Sequence, residues 1–231
     1  MNFLTQAWQW LVDPANAAGP NGIGARTLEH LSYTLIATAI ACLVGIPVGY
    51  AIGHAHRGRT VVVASTGAAR ALPTLGVVTL FGLAFGIGLT APMVAFVLLA
   101  LPSVLAGAYA GIEGVPADVV DAARAMGMTE WQILFRVEVP LGLPLLLGGI
   151  RSAALQVLAT ATLAAYVGAG GLGRFLFLGL KTQNYPMMLA ASIVVVGLAI
   201  GAELTFEVID RLARRGLPTG RSRVASSVVG T

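Results

Sequence analysis

From Leu31 to Gly53, and again from Ala91 to Gly111, the chain runs on without one charged side chain. Little else in a sequence narrows the fold so far. A helix needs roughly 20 apolar residues to cross about 30 Å of hydrocarbon. Within lipid, only a helix or a closed barrel satisfies its own backbone hydrogen bonds. Three more apolar stretches complete the set: Val61–Gly88, interrupted by Arg70 and Pro73, where an interfacial turn would feed a span from about Ala71, then Leu141–Val167 and Met187–Ile209. Only 10% of the residues are charged, against about 25% in an ordinary soluble domain. The expected fold is an all-α membrane protein, a polytopic bundle of about five transmembrane helices. Five spans in 231 residues leave no room for a sizeable soluble domain.

The remaining charge reports orientation. A net charge of +4 would hint at nucleic acid in a soluble protein. Here the cations flank the apolar runs, and no nucleic-acid partner is expected. One face collects Arg57, Arg59, Arg124, Arg136, Arg211, Arg214, Arg215, Arg221 and Arg223, the other Arg26, Arg174 and Lys181. The positive-inside rule then puts the N-terminus outside, and residues 112–140 and the C-terminus in the cytoplasm. The expected organisation is an irregular extracytoplasmic or interfacial segment at 1–27, one transmembrane domain at 28–216, and a flexible cytoplasmic tail at 217–231. Trp8 and Trp10 suit the interface, and no basic n-region or cleavage site marks a signal peptide. Cys42, the lone cysteine, excludes an intrachain disulfide.

Between the third and fourth runs lies a polar island, residues 112–140, that reads as two short helices joined at a glycine. Pro116 suits the first helical position and Asp118 the first turn. Val119, Val120, Ala123 and Met126 fall on one face, and Asp121 and Arg124 pair at i,i+3. Gly127 is a natural stop. Thr129 and Gln132 have capping-box spacing, and Trp131, Leu134 and Phe135 then share a face. Val137-Glu138-Val139-Pro140 leads back to the bilayer. Small Ala122 and Ala123 and tight Gly127 would admit another backbone, with Trp131 and Phe135 as aromatic anchors.

This segment resembles the EAA loop of binding-protein-dependent ABC importer permeases, whose pattern is E-A-A, three residues, G, nine residues, then I-x-L-P. Asp121-Ala122-Ala123, Gly127 and Val137-Glu138-Val139-Pro140 match at the right spacing, with Asp for Glu and Val for Ile and Leu. The resemblance implies a type I importer permease fold in which 112–140 is the coupling loop. Asp121, Ala122, Ala123, Arg124, Gly127, Trp131, Phe135 and Pro140 would then serve ATPase coupling. It implies as partners two ATPase subunits, a second permease subunit (a different chain or a second copy) and an extracytoplasmic solute-binding protein. ATP and Mg would sit on the ATPase, with no cofactor on this chain. Arg70-Ala71-Leu72-Pro73-Thr74-Leu75, Gly148–Ala153 and Val167–Gly173 are similar to runs in the osmoprotectant subgroup, which moves glycine betaine, choline, carnitine or proline betaine. Its binding proteins would grip a quaternary ammonium in an aromatic cage, through cation–π attraction.

Other chemistry finds no support. Gly168-x-Gly170-x-x-Gly173 fits a dinucleotide fingerprint but lies in a glycine-rich stretch, 168–186, expected as a loop that joins two spans instead of a strand and a helix. Gly179-Leu180-Lys181-Thr182 lacks the glycine that precedes the lysine of a P-loop. His54 and His56 have no cysteine or carboxylate beside them in sequence, so no metal site is expected and a loop at the inner interface is the simpler reading. No hydrolase constellation appears, and the chain reads as a transport subunit, not an enzyme.

Arg70, Arg151 and Glu203 are intramembrane charges, each costing about 2.5–3.5 kcal/mol at a span centre. They are either gate groups, with an Arg70–Glu203 contact, or interhelical pins, the preferred reading for the two arginines. With Pro73 they join Thr74, Thr79, Ser152, Thr160 and Thr162 as candidates for the translocation pathway. The alternatives are a permease for another solute (an amino acid, a sulfonate, ergothioneine), an ion-coupled secondary transporter, or a purely structural subunit. No internal inverted repeat favours the secondary transporter.

Overall fold

The computed structural model describes residues 2–55 and 58–215, without the side chains of Ala69, Arg70 and Arg214. The expected tail at 217–231, His56 and Arg57 lie outside the described residues. Two short helices open the chain, α1 (Phe3–Val12) and α2 (Pro14–Ala17). Then come α3 (Ile23–His54), α4 (Arg59–Ala71), α5 (Thr74–Phe85), α6 (Thr90–Glu113), α7 (Ala117–Ala125) and α8 (Glu130–Ile133). A π-helical turn (Leu134–Glu138) leads into α9 (Val139–Thr160), which tightens into a 3-10 helix (Ala161–Val167). Helices α10 (Gly173–Thr182) and α11 (Tyr185–Arg215) follow. No strand occurs among the described residues.

Among the described residues, four helical stretches are long and apolar enough to cross a membrane: Ile23–His54, Thr90–Glu113, Glu130–Val167 and Tyr185–Ala213. The second apolar stretch is broken at Pro73, as its sequence suggests. Pro73 disfavours helical backbone at the residue before it, and Leu72 is extended at φ −74°, ψ 126°. The chain therefore passes from α4 to α5 through a turn. At 12 residues, α5 rises about 18 Å and cannot cross alone.

Helix α6 is the axis of the bundle, with α3 on one side and α9 on the other. Ala95, Phe96, Ala100, Val104 and Ala108 along it are wholly buried. Between helices in lipid, close van der Waals packing replaces the hydrophobic effect, and small residues permit it. The four-residue spacing of Gly45, Gly49 and Gly53 does this on α3: a Cβ on Gly49 would lie 2.5 Å from Ala108 Cβ. On the other side of α6, a Cβ on Gly111 would lie 2.7 Å from the Gly142 carbonyl oxygen of α9.

A backbone oxygen cannot rotate away as a side chain can. Gly111→Ala should therefore destabilise the solubilised protein by about 1–3 kcal/mol, the scale of overpacking. Gly148→Ala, with nothing within 4 Å of the new methyl group, should be neutral or stabilise by about 0.5–1 kcal/mol. Thermal unfolding in detergent separates the two.

The start of α3 meets the loop before α10. Gly171 N–H donates to Glu29 Oε2 at 2.8 Å, and Arg26 Nη1 donates to the same oxygen at 2.6 Å. One turn deeper, buried His30 donates from Nε2 to the Leu158 carbonyl at 2.9 Å. The segments expected to be irregular, 1–27 and 168–186, carry helices instead. Helix α1 packs on α11, and Trp10 meets Phe175 of α10 edge to face at 5.2 Å. Of the glycines that suggested a loop, Gly171 precedes α10, Gly173 begins it and Gly179 lies inside it. The boundary expected at residue 27 falls within α3.

Candidate functional site

The polar island folds as a closed knuckle at the end of the core helices. Pro116 is the cap of α7 instead of its first residue, and Asp118 lies in the first turn. Gly127 ends α7 at φ +81°. Its N–H donates to Arg124 O at 2.9 Å while Met128 N–H reaches back to Ala123 O at 3.2 Å. That is a Schellman stop, which needs a left-handed residue and so favours glycine. Thr129 and Gln132 form a reciprocal capping box, Thr129 N–H to Gln132 Oε1 at 2.9 Å and Gln132 N–H to Thr129 Oγ1 at 3.4 Å.

A small apolar cluster holds the pair together. Val120, Ala123 and Ile133 are buried in it, with Val115, Met128 and Val137 packed around them. Two expected details change here. Val119 and Met126 do not share the buried face, being 37% and 76% exposed. Ala123 faces inward, so its small size serves the knuckle's own packing, whereas Ala122 is exposed.

The second short helix is not separate. Helix α8 continues through the π turn into α9, where Val139 N–H bonds Leu134 O. Pro140, one residue into α9, has no N–H to donate, which favours a shift of ladder at this point. Trp131 and Phe135 lie outside the packed face, 72% and 57% exposed. Their rings are nearly parallel at 8°, with centroids 5.9 Å apart. With Pro47, Tyr50, Ala51 and His54 of α3, they line a cleft of about 420 Å³.

Charge crosses the knuckle in a chain. Arg124 donates to Asp121 Oδ1 at 3.3 Å, as its spacing suggested, and also to Glu130 Oε1 at 3.0 Å. Glu130, then Asp121, outweigh desolvation and hold the Arg124 guanidinium above its ordinary pKa. His54, at the end of α3, donates from Nδ1 to Glu138 Oε2 at 2.6 Å. Sequence reading missed this bond because 84 residues separate the partners. One signal was present: Glu138 is a lone carboxylate between Val137 and Val139. Among the described residues, no His, Cys, Asp and Glu group could hold a metal ion.

The pathway candidates scatter. Arg151 of α9 donates from Nε to Glu203 of α11 at 2.9 Å and lies 3.6 Å from Glu207. Glu203 is thus a partner of Arg151, while the Arg70 side chain, and with it the expected Arg70–Glu203 contact, lies outside the described residues. Thr79, Thr160 and Thr162 bond carbonyls on their own helical turns. Pro73 caps α5 and Thr74 begins it. Ser152 instead faces a cavity of about 270 Å³, with Thr66 and Ser103 among its walls, two residues the sequence reading did not single out.

Arg151→Leu would strip Glu203 of its cation within a span, where an unpartnered carboxylate is costly. The amount of protein accumulating in the membrane should fall several-fold. Arg151→Leu with Glu203→Leu should recover much of it, as quantitative blotting would show.

The family described as "Binding-protein-dependent transport system inner membrane component" matches residues 19–215. Over 186 residues the chain is 31% identical to the glycine betaine/carnitine/choline transport system permease protein OpuCB of Bacillus subtilis, covering 80% of this chain and 86% of that one. It is 32% identical to the carnitine transport permease protein OpuCB of Listeria monocytogenes, covering 77% and 82%. Its fold is shared with the MetNI methionine ABC transporter in an inward-facing conformation, at TM-score 0.71, 23% identity and coverage of 83% and 95%. With this fold and a family match that covers most of its length, the chain belongs to the inner membrane components of binding-protein-dependent transport systems, as a multi-pass transport subunit.

Proposed function

We propose that this chain is the permease subunit of an ATP-driven importer for a quaternary-ammonium osmoprotectant: glycine betaine, choline, carnitine or proline betaine. The carrying observation is the closed knuckle at 117–138, with Asp121, Ala122, Met126, Trp131 and Phe135 on its open face. One of two ATPase subunits docks there, the other on a second permease subunit, and the ATPase pair holds the ATP and Mg. That second permease subunit completes the pathway, and a solute-binding protein docks at the far end, near the loop that Glu29 clasps. The N-terminus is outside and the knuckle is in the cytoplasm. The basic residues support this: Arg124 and Arg136 share one end of the core with His54, while Arg174 follows the Glu29-clasped loop at the other. The relatives, a glycine betaine/carnitine/choline permease and a carnitine permease, support the substrate class.

A substrate with fixed positive charge suits a pathway of hydroxyls better than one of cations. The cavity with Thr66, Ser103 and Ser152 sets three hydroxyl residues between small and apolar ones and, among the described residues, has no charged one in its wall, and nucleotide drives it between openings by differential affinity. The test is uptake into vesicles that hold the purified permeases, ATPase and binding protein, using labelled betaine, choline, carnitine and proline. ATP-dependent accumulation of a quaternary amine is expected. Accumulation driven by an ion gradient without ATP, or of a sulfonate or amino acid alone, would overturn the reading.

A further inference from the structure

Coupling through 112–140 leaves one buried bond without a role, that between His54 and Glu138. The Glu138 side chain is only 2% exposed, and its carboxylate accepts from His54 Nδ1 at 2.6 Å. A carboxylate removed from water is costly unless partnered, so this link is held more firmly than an exposed one. The other ring nitrogen, Nε2, stands 3.3 Å from Glu130 Oε2. Glu130 in turn bonds Arg124, which bonds Asp121. A continuous chain of polar contacts thus runs from the exposed face of α7 to the last residue of α3. The outer links are exposed, with side chains 73% (Asp121), 46% (Arg124) and 55% (Glu130) accessible, and exposed pairs of this kind carry little energy. His54–Glu138 is the link that resists pulling. Beyond it, α3 lies along α6 on its glycine row and moves with the core.

We infer that His54 is a positioning residue of the coupling machinery, whose bond to Glu138 passes movement of the knuckle into α3 and so into the α3–α6–α9 core. This rests on the reading of 112–140 as the ATPase dock. The side-chain amides of Asn and Gln discriminate between the two ring nitrogens. Asn places its nitrogen near Nδ1 and can still donate to Glu138. Gln reaches toward the Nε2 position and cannot replace that bond.

The test uses the complete reconstituted transporter carrying His54→Leu, His54→Asn or His54→Gln. It reads substrate imported per ATP hydrolysed, and ATPase co-purified per permease. With His54→Leu, hydrolysis should continue while import per ATP falls about tenfold, the scale of changes along a coupling route. His54→Asn should restore most of the import and His54→Gln should not, with co-purified ATPase constant throughout. Unaltered import per ATP in His54→Leu, equal defects in the Asn and Leu variants, or equal rescue by Gln would each overturn the inference. If the Leu variant does not accumulate, the Asn and Gln comparison decides alone. Failure of the ATPase to co-purify with the unsubstituted chain would strike the docking reading itself. Normal co-purification with unaltered coupling in His54→Leu would strike only the role of His54.

Discussion

Ala123→Trp is expected to abolish ATP-driven uptake while the protein stays in the membrane. Ala123 is 2% exposed and enclosed by Val120, Ile133 and the residues packed around them. Adding even methylenes to a packed core costs about 1–3 kcal/mol, and an indole adds far more than that. Helix α7 cannot hold its place against α8 once the cluster is forced open. The α3–α6–α9 core has its own cluster, centred on Phe96 and Val104 and separate from this one, so insertion should survive. The measurement is uptake beside ATPase activity in vesicles, with alkaline extraction to confirm integration. Ala122→Trp is the informative companion. Ala122 is exposed, so its substitution leaves the knuckle folded and disturbs only what approaches from outside.

Removing both aromatic rings, with Trp131→Ala and Phe135→Ala, is expected to weaken ATPase binding by at least about 30-fold. Anchors of this kind cost about 2 kcal/mol or more each when truncated, and about 2 kcal/mol corresponds to roughly 30-fold in affinity. The two rings stack on one another, so their losses need not add. Both lie largely outside the packed face, and the folded permease should lose little stability. Titrating purified ATPase onto permease in nanodiscs would read the affinity directly. An unchanged affinity would place the dock elsewhere on the surface.

Much of this fold can be read from the residues, for identifiable reasons. Span length and charge asymmetry are local properties, and they locate the long helices and the polar island. The Gly127 stop and the Thr129–Gln132 box are also local, each confined to a few residues that satisfy one another's backbone. The break at Pro73 is visible for the same reason. Helices α1 and α10 are less legible, because their glycine and proline neighbours speak for loops while packing on α11 and on each other favours helix. The coupling loop's small residues divide between an inward and an outward role, Ala123 and Ala122, which depends on α8 lying alongside. The long-range polar contacts are hardest to foresee. Arg151 meets Glu203 across 52 residues and His54 meets Glu138 across 84; nothing in either neighbourhood names its partner. What the sequence does show is an isolated charge in an apolar run, which must find some partner.

The central claim is that the knuckle lies in the cytoplasm and touches a nucleotide-hydrolysing subunit. Met126, 76% exposed just past the end of α7, offers the reporter position. With Cys42→Ala to remove the native thiol, Met126→Cys would be treated in oriented vesicles with a membrane-impermeant thiol reagent, then with a crosslinker. The account predicts labelling from the cytoplasmic side alone, and a crosslink to the ATPase whose yield changes with bound nucleotide. Labelling from the exterior, or no crosslink in any nucleotide state, would contradict it.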